Sequence, residues 1–141
     1  MATRITIELP EPLPFTTRIS VRIGDINYGG HVGNDAMLRI MQDARLRFLA
    51  QYGWSELDTA GASLIMTDAC VIYKAQARFG DDLEIGVAAR DLTRTGFTLV
   101  YRIVRTQDRV EIARGETGMA FFDYGRNRVA RMPEAFRQAC G

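Results

Sequence analysis

Apolar and polar residues alternate from Thr16 to Ile23, where Ile19, Val21 and Ile23 interleave with Arg18, Ser20 and Arg22. That period of two predicts a half-buried strand. Residues 1–14 end in Pro10, Pro12 and Pro14 and read as an N-terminal arm, with at most one short strand from Arg4 to Leu9. From about Asp35 to Tyr52 the period lengthens. Met37, Ile40, Met41, Ala44, Phe48 and Tyr52 recur at helical spacing, and Ala36, Leu38 and Leu49 widen the apolar stripe. A stripe that broad predicts a helix enclosed by other elements. Asn34 reads as its N-cap, Asp35 complements its positive end and Gly53 is its stop.

After Gly61 alternation returns for the rest of the chain. It predicts strands at Ser63 to Phe79, Leu83 to Asp91, Phe97 to Gln107 and Val110 to Tyr124. The joints Gly80-Asp81-Asp82, Arg94-Thr95-Gly96 and Gln107-Asp108-Arg109 are short enough for hairpins. Met132 to Ala139 predicts a terminal helical turn. The order is strand, long buried helix, antiparallel meander. Strands this long can curl, and a curled antiparallel sheet can wrap one apolar helix. The expected class is therefore α+β, a curved antiparallel sheet around one long central helix. Such a sheet keeps an open edge, so association with a second copy, as a homodimer or tetramer, is the natural cover.

Between the first strand and the helix lies Gly24 to Asn34, GDINYGGHVGN, with four glycines in eleven residues. It must be a loop whose backbone turns sharply or approaches something closely. Composition narrows the function. A chain of 141 residues is the size of one domain. A net charge of +1 with no clustered basic stripe argues against nucleic acid. Two cysteines, Cys70 and Cys140, form neither a disulfide framework nor a zinc pattern, so no metal is expected. No leader-like segment opens the chain and no apolar run is long enough to span a membrane, so the expectation is a cytoplasmic protein without membrane insertion. No G-x-S-x-G elbow occurs, which disfavours a serine hydrolase of that type.

The loop and the helix after it resemble the 4-hydroxybenzoyl-CoA thioesterase-like hotdog proteins. Their first motif is a strand, then D-x-D-x-x-G-H-V-x-N, then the central helix. Here it reads Asp25-Ile26-Asn27-Tyr28-Gly29-Gly30-His31-Val32-Gly33-Asn34. The stretch from Tyr73 to Leu83, ending in Gly80-Asp81-Asp82-Leu83, is similar to the family's second signature, an aromatic followed by a G-D-x-L turn. The resemblance implies a hotdog fold and an acyl-CoA thioesterase, with coenzyme A as part of the substrate and no separate cofactor. One departure is chemical. The second acid of D-x-D, commonly the family's catalytic carboxylate, is Asn27 here. An amide neither takes a proton at neutral pH nor attacks a carbonyl.

Thioester hydrolysis needs a place for the developing oxyanion, a way to activate water and a slot for the acyl chain. A glycine loop running into a helix supplies the first, because N–H groups around Gly33 and Asn34 are unpaired at a helix start and carry its positive dipole end. His31, the only histidine, is a candidate acid or base, since imidazole titrates nearest neutrality; otherwise it holds the turn. Asn27 either orients water or the thioester oxygen, or is a turn asparagine. Asp25 either joins the chemistry or accepts loop N–H groups. Asp68 matches no motif position, but a carboxylate among apolar neighbours is costly unless paired or hydrated. It would replace the missing acid if its strand passed the helix start of a partner subunit; otherwise it is an edge-strand residue facing water. Tyr28 and Arg94 complete the substrate-binding candidates, the latter for coenzyme A phosphate. Two other functions stay open: a non-hydrolytic hotdog that binds an acyl thioester, and an enoyl thioester hydratase, whose histidine would come from the helix region.

Overall fold

The computed structural model describes residues 4–141, so the first three residues of the expected arm lie outside it. The elements are β1 (Phe15–Ser20), a single 3-10 turn (Ile23–Asp25), α1 (Asn34–Ala50), β2 (Ser63–Tyr73), β3 (Asp82–Arg90), β4 (Gly96–Arg105), β5 (Glu111–Asp123), β6 (Arg128–Val129) and α2 (Glu134–Cys140). The strands form one antiparallel sheet in the order β1-β3-β4-β5-β2, with β6 paired to β5. The sheet curves around α1, and the fold is the hotdog that the alternation and the long apolar helix predict.

Each strand in the middle of the sheet turns alternate residues toward α1. Ile85 and Val87 of β3, Leu99, Tyr101 and Ile103 of β4, and Ala113, Met119 and Phe121 of β5 pack with Met37, Ile40, Met41, Ala44, Phe48 and Leu49. At ~25 cal/mol per Å² of apolar surface removed from water, burying this interface is the main favourable contribution to folding. The helix stops as its sequence predicts. Gly53 takes a left-handed conformation at φ +77°, and Trp54 N–H donates to Leu49 O at 3.1 Å. Its start differs by one residue. Gly33 is the N-cap and Asn34 is the first helical residue, because Gly33 N–H is already held by Asp25 O at 2.9 Å.

Three further elements differ by more than two residues. The short strand allowed at Arg4 to Leu9 does not form; the arm crosses the sheet face opposite α1. There Ile7, Leu9 and Leu13 pack on Ile72, Ala88, Val100 and Cys70. Arg114 Nη1 donates to Ile7 O at 2.9 Å and Arg90 Nη1 to Glu8 O at 2.5 Å. Leu13 lies on Gly86, where an added side-chain carbon would meet Leu13 Cδ1 at 2.5 Å. The first strand ends at Ser20, and β2 ends at Tyr73 rather than Phe79. Lys74 and Ala75 N–H both donate to Ile112 O, at 2.8 and 3.1 Å, and two residues on one carbonyl end the ladder there. The terminal turn is a short helix whose Phe136 is buried among Phe97, Phe121 and Trp54.

Strand β2 is an edge strand with one β-bulge, between Met66 and Asp68. Met66 pairs with Met119, and Asp68 pairs with Gly118. No helix among the described residues is long and apolar enough to cross a membrane.

Candidate active site at the start of the central helix

The loop before α1 is built by its own polar atoms. Asp25, 4% exposed, accepts Arg22 N–H at 2.9 Å through its carboxylate, and its backbone carbonyl accepts Gly33 N–H. Arg39 and Arg22 lie 3.8 and 3.5 Å from that carboxylate. Asp25 therefore anchors the loop rather than facing a ligand. Gly30, at φ +82°, occupies a conformation that side chains resist. Asn27 closes the turn twice. Its backbone N–H donates to His31 O at 2.8 Å, and its side-chain Oδ1 accepts Gly29 N–H at 2.9 Å and His31 N–H at 3.3 Å. Two converging N–H groups require an acceptor, so the carboxamide oxygen must face the loop and Nδ2 must point away from it.

Val32 N–H donates to Ala77 O at 2.9 Å, which fastens the loop to the segment leaving β2. Between them opens a cleft of about 300 Å³, lined by Asn27, His31, Asn34, Met37, Tyr73 and the segment 74–77. Tyr73 Oη donates to Asn34 O at 2.8 Å, tying the end of β2 to the start of α1. Burial, and then the negative charge of Asp35, raises the Tyr73 phenol above its usual range, so it stays a neutral donor. The first helical N–H groups, Asn34 and Asp35, have no acceptor among the described residues, whereas Ala36 N–H bonds Gly33 O. The His31 ring makes no hydrogen bond among the described residues and faces the cleft. The cleft thus collects hydrogen-bond donors and one imidazole. No carboxylate lines it.

The structure brings Asn27, His31 and Asn34 together and leaves the other candidates elsewhere. Gly33 caps the helix beside the cleft with its N–H engaged by Asp25. Tyr28 is fully exposed at the loop tip. Arg94 lies on the β3–β4 turn, whose carbonyl holds Met132 N–H at 2.7 Å, beyond the other end of α1. Asp68 is exposed at the bulge of β2, its Oδ1 accepting Thr67 Oγ1 at 2.7 Å over the bare backbone of Gly118. It lies five residues before Tyr73, about 17 Å along the strand. Tyr73, Met37 and Ala77 are site residues that the local sequence pattern does not single out. Only Tyr73 carries a signal, as the aromatic that opens the stretch resembling the family's second signature.

The profile of the thioesterase-like superfamily matches residues 21–140. The chain belongs to that superfamily. Among solved structures, it is similar to a 1,4-dihydroxy-2-naphthoyl-CoA thioesterase from Synechocystis, at 21% identity over 89% of this chain and 94% of that one, TM-score 0.81. It is also similar to a gentisyl-coenzyme A thioesterase, at 22% identity over 87% and 99%, TM-score 0.77. A Staphylococcus aureus protein solved in complex with CoA matches at 20% identity over 88% and 79%, TM-score 0.78. These likenesses are of fold. No curated protein matches the sequence.

Proposed function

We propose that this thioesterase-superfamily chain hydrolyses an acyl-CoA thioester to the free acid and CoA at the cleft before α1. The observation that carries this reading is that unused donors belong to residues lining the cleft: the Asn34 amide at the positive helix end, with the free Asp35 N–H next to it in the chain, and Nδ2 of Asn27. In the proposed step the thioester carbonyl oxygen accepts from these groups. Their hydrogen bonds strengthen as water adds and negative charge grows on that oxygen, and each such donor is typically worth ~3 kcal/mol in the transition state. His31 takes the proton of the attacking water and returns it to the departing thiolate sulfur. Coenzyme A enters as substrate, with no separate cofactor.

The proposed working form is a homodimer or tetramer in the cytoplasm. Strand β2 leaves Ile65 and Met66 exposed along an open edge. In this arrangement Asp68 of a second copy supplies the acid that the cleft of one chain lacks. The absence of a lining carboxylate also favours a second reading, a protein that holds an acyl thioester without cleaving it. Thiol release over short, long and aromatic acyl-CoAs decides between them. Hydrolysis that falls in both Asn27→Ala and His31→Ala supports the enzyme. Tight acyl-CoA binding with no thiol released anywhere in the panel supports the binder.

A further inference from the structure

Beyond the floor of the cleft, α1 presents Met37, Met41 and Arg45 at steps of four residues, which places them on one face. Opposite, β5 presents Ala113, Gly115 and Thr117, alternate residues of its inward side. Two contacts fix how these rows meet. The Met41 thioether lies on the bare backbone of Gly115, where an added side-chain carbon would meet its Sδ at 2.5 Å. One turn further, Arg45 Nη1 donates to Tyr101 Oη at 3.2 Å, and Tyr101 Oη shares a 2.8 Å hydrogen bond with Thr117 Oγ1. The seam between helix and sheet therefore runs from Met37, which lines the cleft, to a methionine seated on a glycine, and then to a buried polar cluster. From Asn34 the distance along the helix axis is ~10 Å to Met41 and ~16 Å to Arg45.

Met41 is fully buried behind Met37. Its unbranched thioether adapts readily to what it packs against, and Gly115 offers no side chain to interlock with it. Past Met41 an alkyl chain would have to lie against Arg45, which Glu56 and Tyr101 hold charged. That displacement would strip hydrogen bonds from a buried cation.

We propose that Met41 is the acyl-length stop of the cleft. The acyl group, its carbonyl held at the helix start, lies along Met37 and ends at Met41, so short acyl groups fit and long ones do not. The inference rests on the thioesterase reading and adds the substrate class. It is tested by kcat/KM for butyryl-, hexanoyl-, octanoyl- and decanoyl-CoA in the full chain, in Met41→Ala and in Met41→Val, with thermal melts to show that each is folded. The wild type should fall off toward decanoyl-CoA. Met41→Ala should raise the ratio of decanoyl- to butyryl-CoA turnover at least about tenfold, the usual effect of a few methylenes in an apolar pocket. Met41→Val should move the ratio the same way by less, and it carries the test if Met41→Ala does not fold. An unchanged ratio in the folded variants, or a wild type that accepts decanoyl-CoA as well as butyryl-CoA, overturns the stop. Should the wild type release no thiol from any substrate, the thioesterase reading fails instead. The same two acyl-CoAs are then titrated by calorimetry, and the affinity ratio must shift in Met41→Ala for the stop to stand.

Discussion

The side-chain carbonyl of Asn27 and the backbone N–H of His31 are hydrogen-bonded at 3.3 Å, so the residue that replaces the family's usual acid also shapes the loop that presents the imidazole. Gly29 N–H shares the same oxygen. In the proposed mechanism the residue therefore has a structural half and a chemical half. Asn27→Asp keeps an oxygen for the two loop amides and exchanges the donor facing the cleft for an acceptor. Asn27→Ala removes both. Both variants should lower kcat/KM, by about a hundredfold for the loss of one oxyanion donor, while only Asn27→Ala should also lower the melting temperature. Steady-state kinetics beside thermal melts separate the two halves.

His31 presents its ring to the cleft with no hydrogen-bond partner among the described residues. Its backbone, not its ring, holds the loop. His31→Ala should therefore leave the melting temperature nearly unchanged and reduce kcat by about a hundredfold or more. A variant that hydrolyses acyl-CoA at the wild-type rate would remove the imidazole from the mechanism.

Arg45 and Glu56 form a largely buried pair at 2.5 Å, joined to Tyr101. Burial opposes the Arg45 charge, but the Tyr101 and Glu56 oxygens more than offset it. Glu56→Ala would leave a buried guanidinium without its counter-charge and should destabilise the fold by ~3 kcal/mol in urea titrations. Arg45→Met, which removes the charge and keeps much of the volume, should cost less.

On the opposite sheet face, Glu111 accepts Arg114 Nε at 2.8 Å and Arg102 Nε at 3.2 Å, and Lys74 Nζ lies 3.4 Å away. Burial alone would raise the Glu111 carboxyl, yet Arg114 and then Lys74 bring it below the ordinary value of 4.5. The folded state therefore holds the charged form more strongly than the unfolded chain does. The stabilisation is complete above the unfolded value and is lost as pH falls through the lower, folded one. Urea titrations should show Glu111→Gln less stable than wild type at neutral pH, with the gap closing below 4.5.

The alternation of apolar residues reveals the sheet, and the broad stripe of Met37 to Phe48 reveals the enclosed helix, because both patterns are set by which face is buried. Asn27 and His31 are legible as a pair because a few residues of loop join them. The ring of residues that completes the cleft is not. Tyr73, Ala77 and Met37 meet only because Lys74 and Ala75 converge on Ile112 O and turn the chain toward the loop. That break follows from pairing with β5, not from anything local to Lys74. The arm reads as loose chain in the sequence, since its Ile7, Leu9 and Leu13 find partners only once the back of the sheet exists. Asp68 stands out as a charge in an apolar run, and the bulge explains how the strand tolerates it there.

The bulge in β2 also decides which way the strand looks. Leu64 and Met66 face α1 before it, opposite Phe121 and Met119; Ala69, Val71 and Tyr73 face α1 after it, opposite Thr117, Gly115 and Ala113. Even positions give way to odd ones across a single extra residue. Were Thr67 instead drawn into a regular ladder opposite Gly118, every later residue would slip by one, and the phenol of Tyr73 would swing to the back of the sheet, carrying Cys70 and Ile72 to the front. The doorway to the cleft is thus hung on one surplus amino acid some distance up the strand.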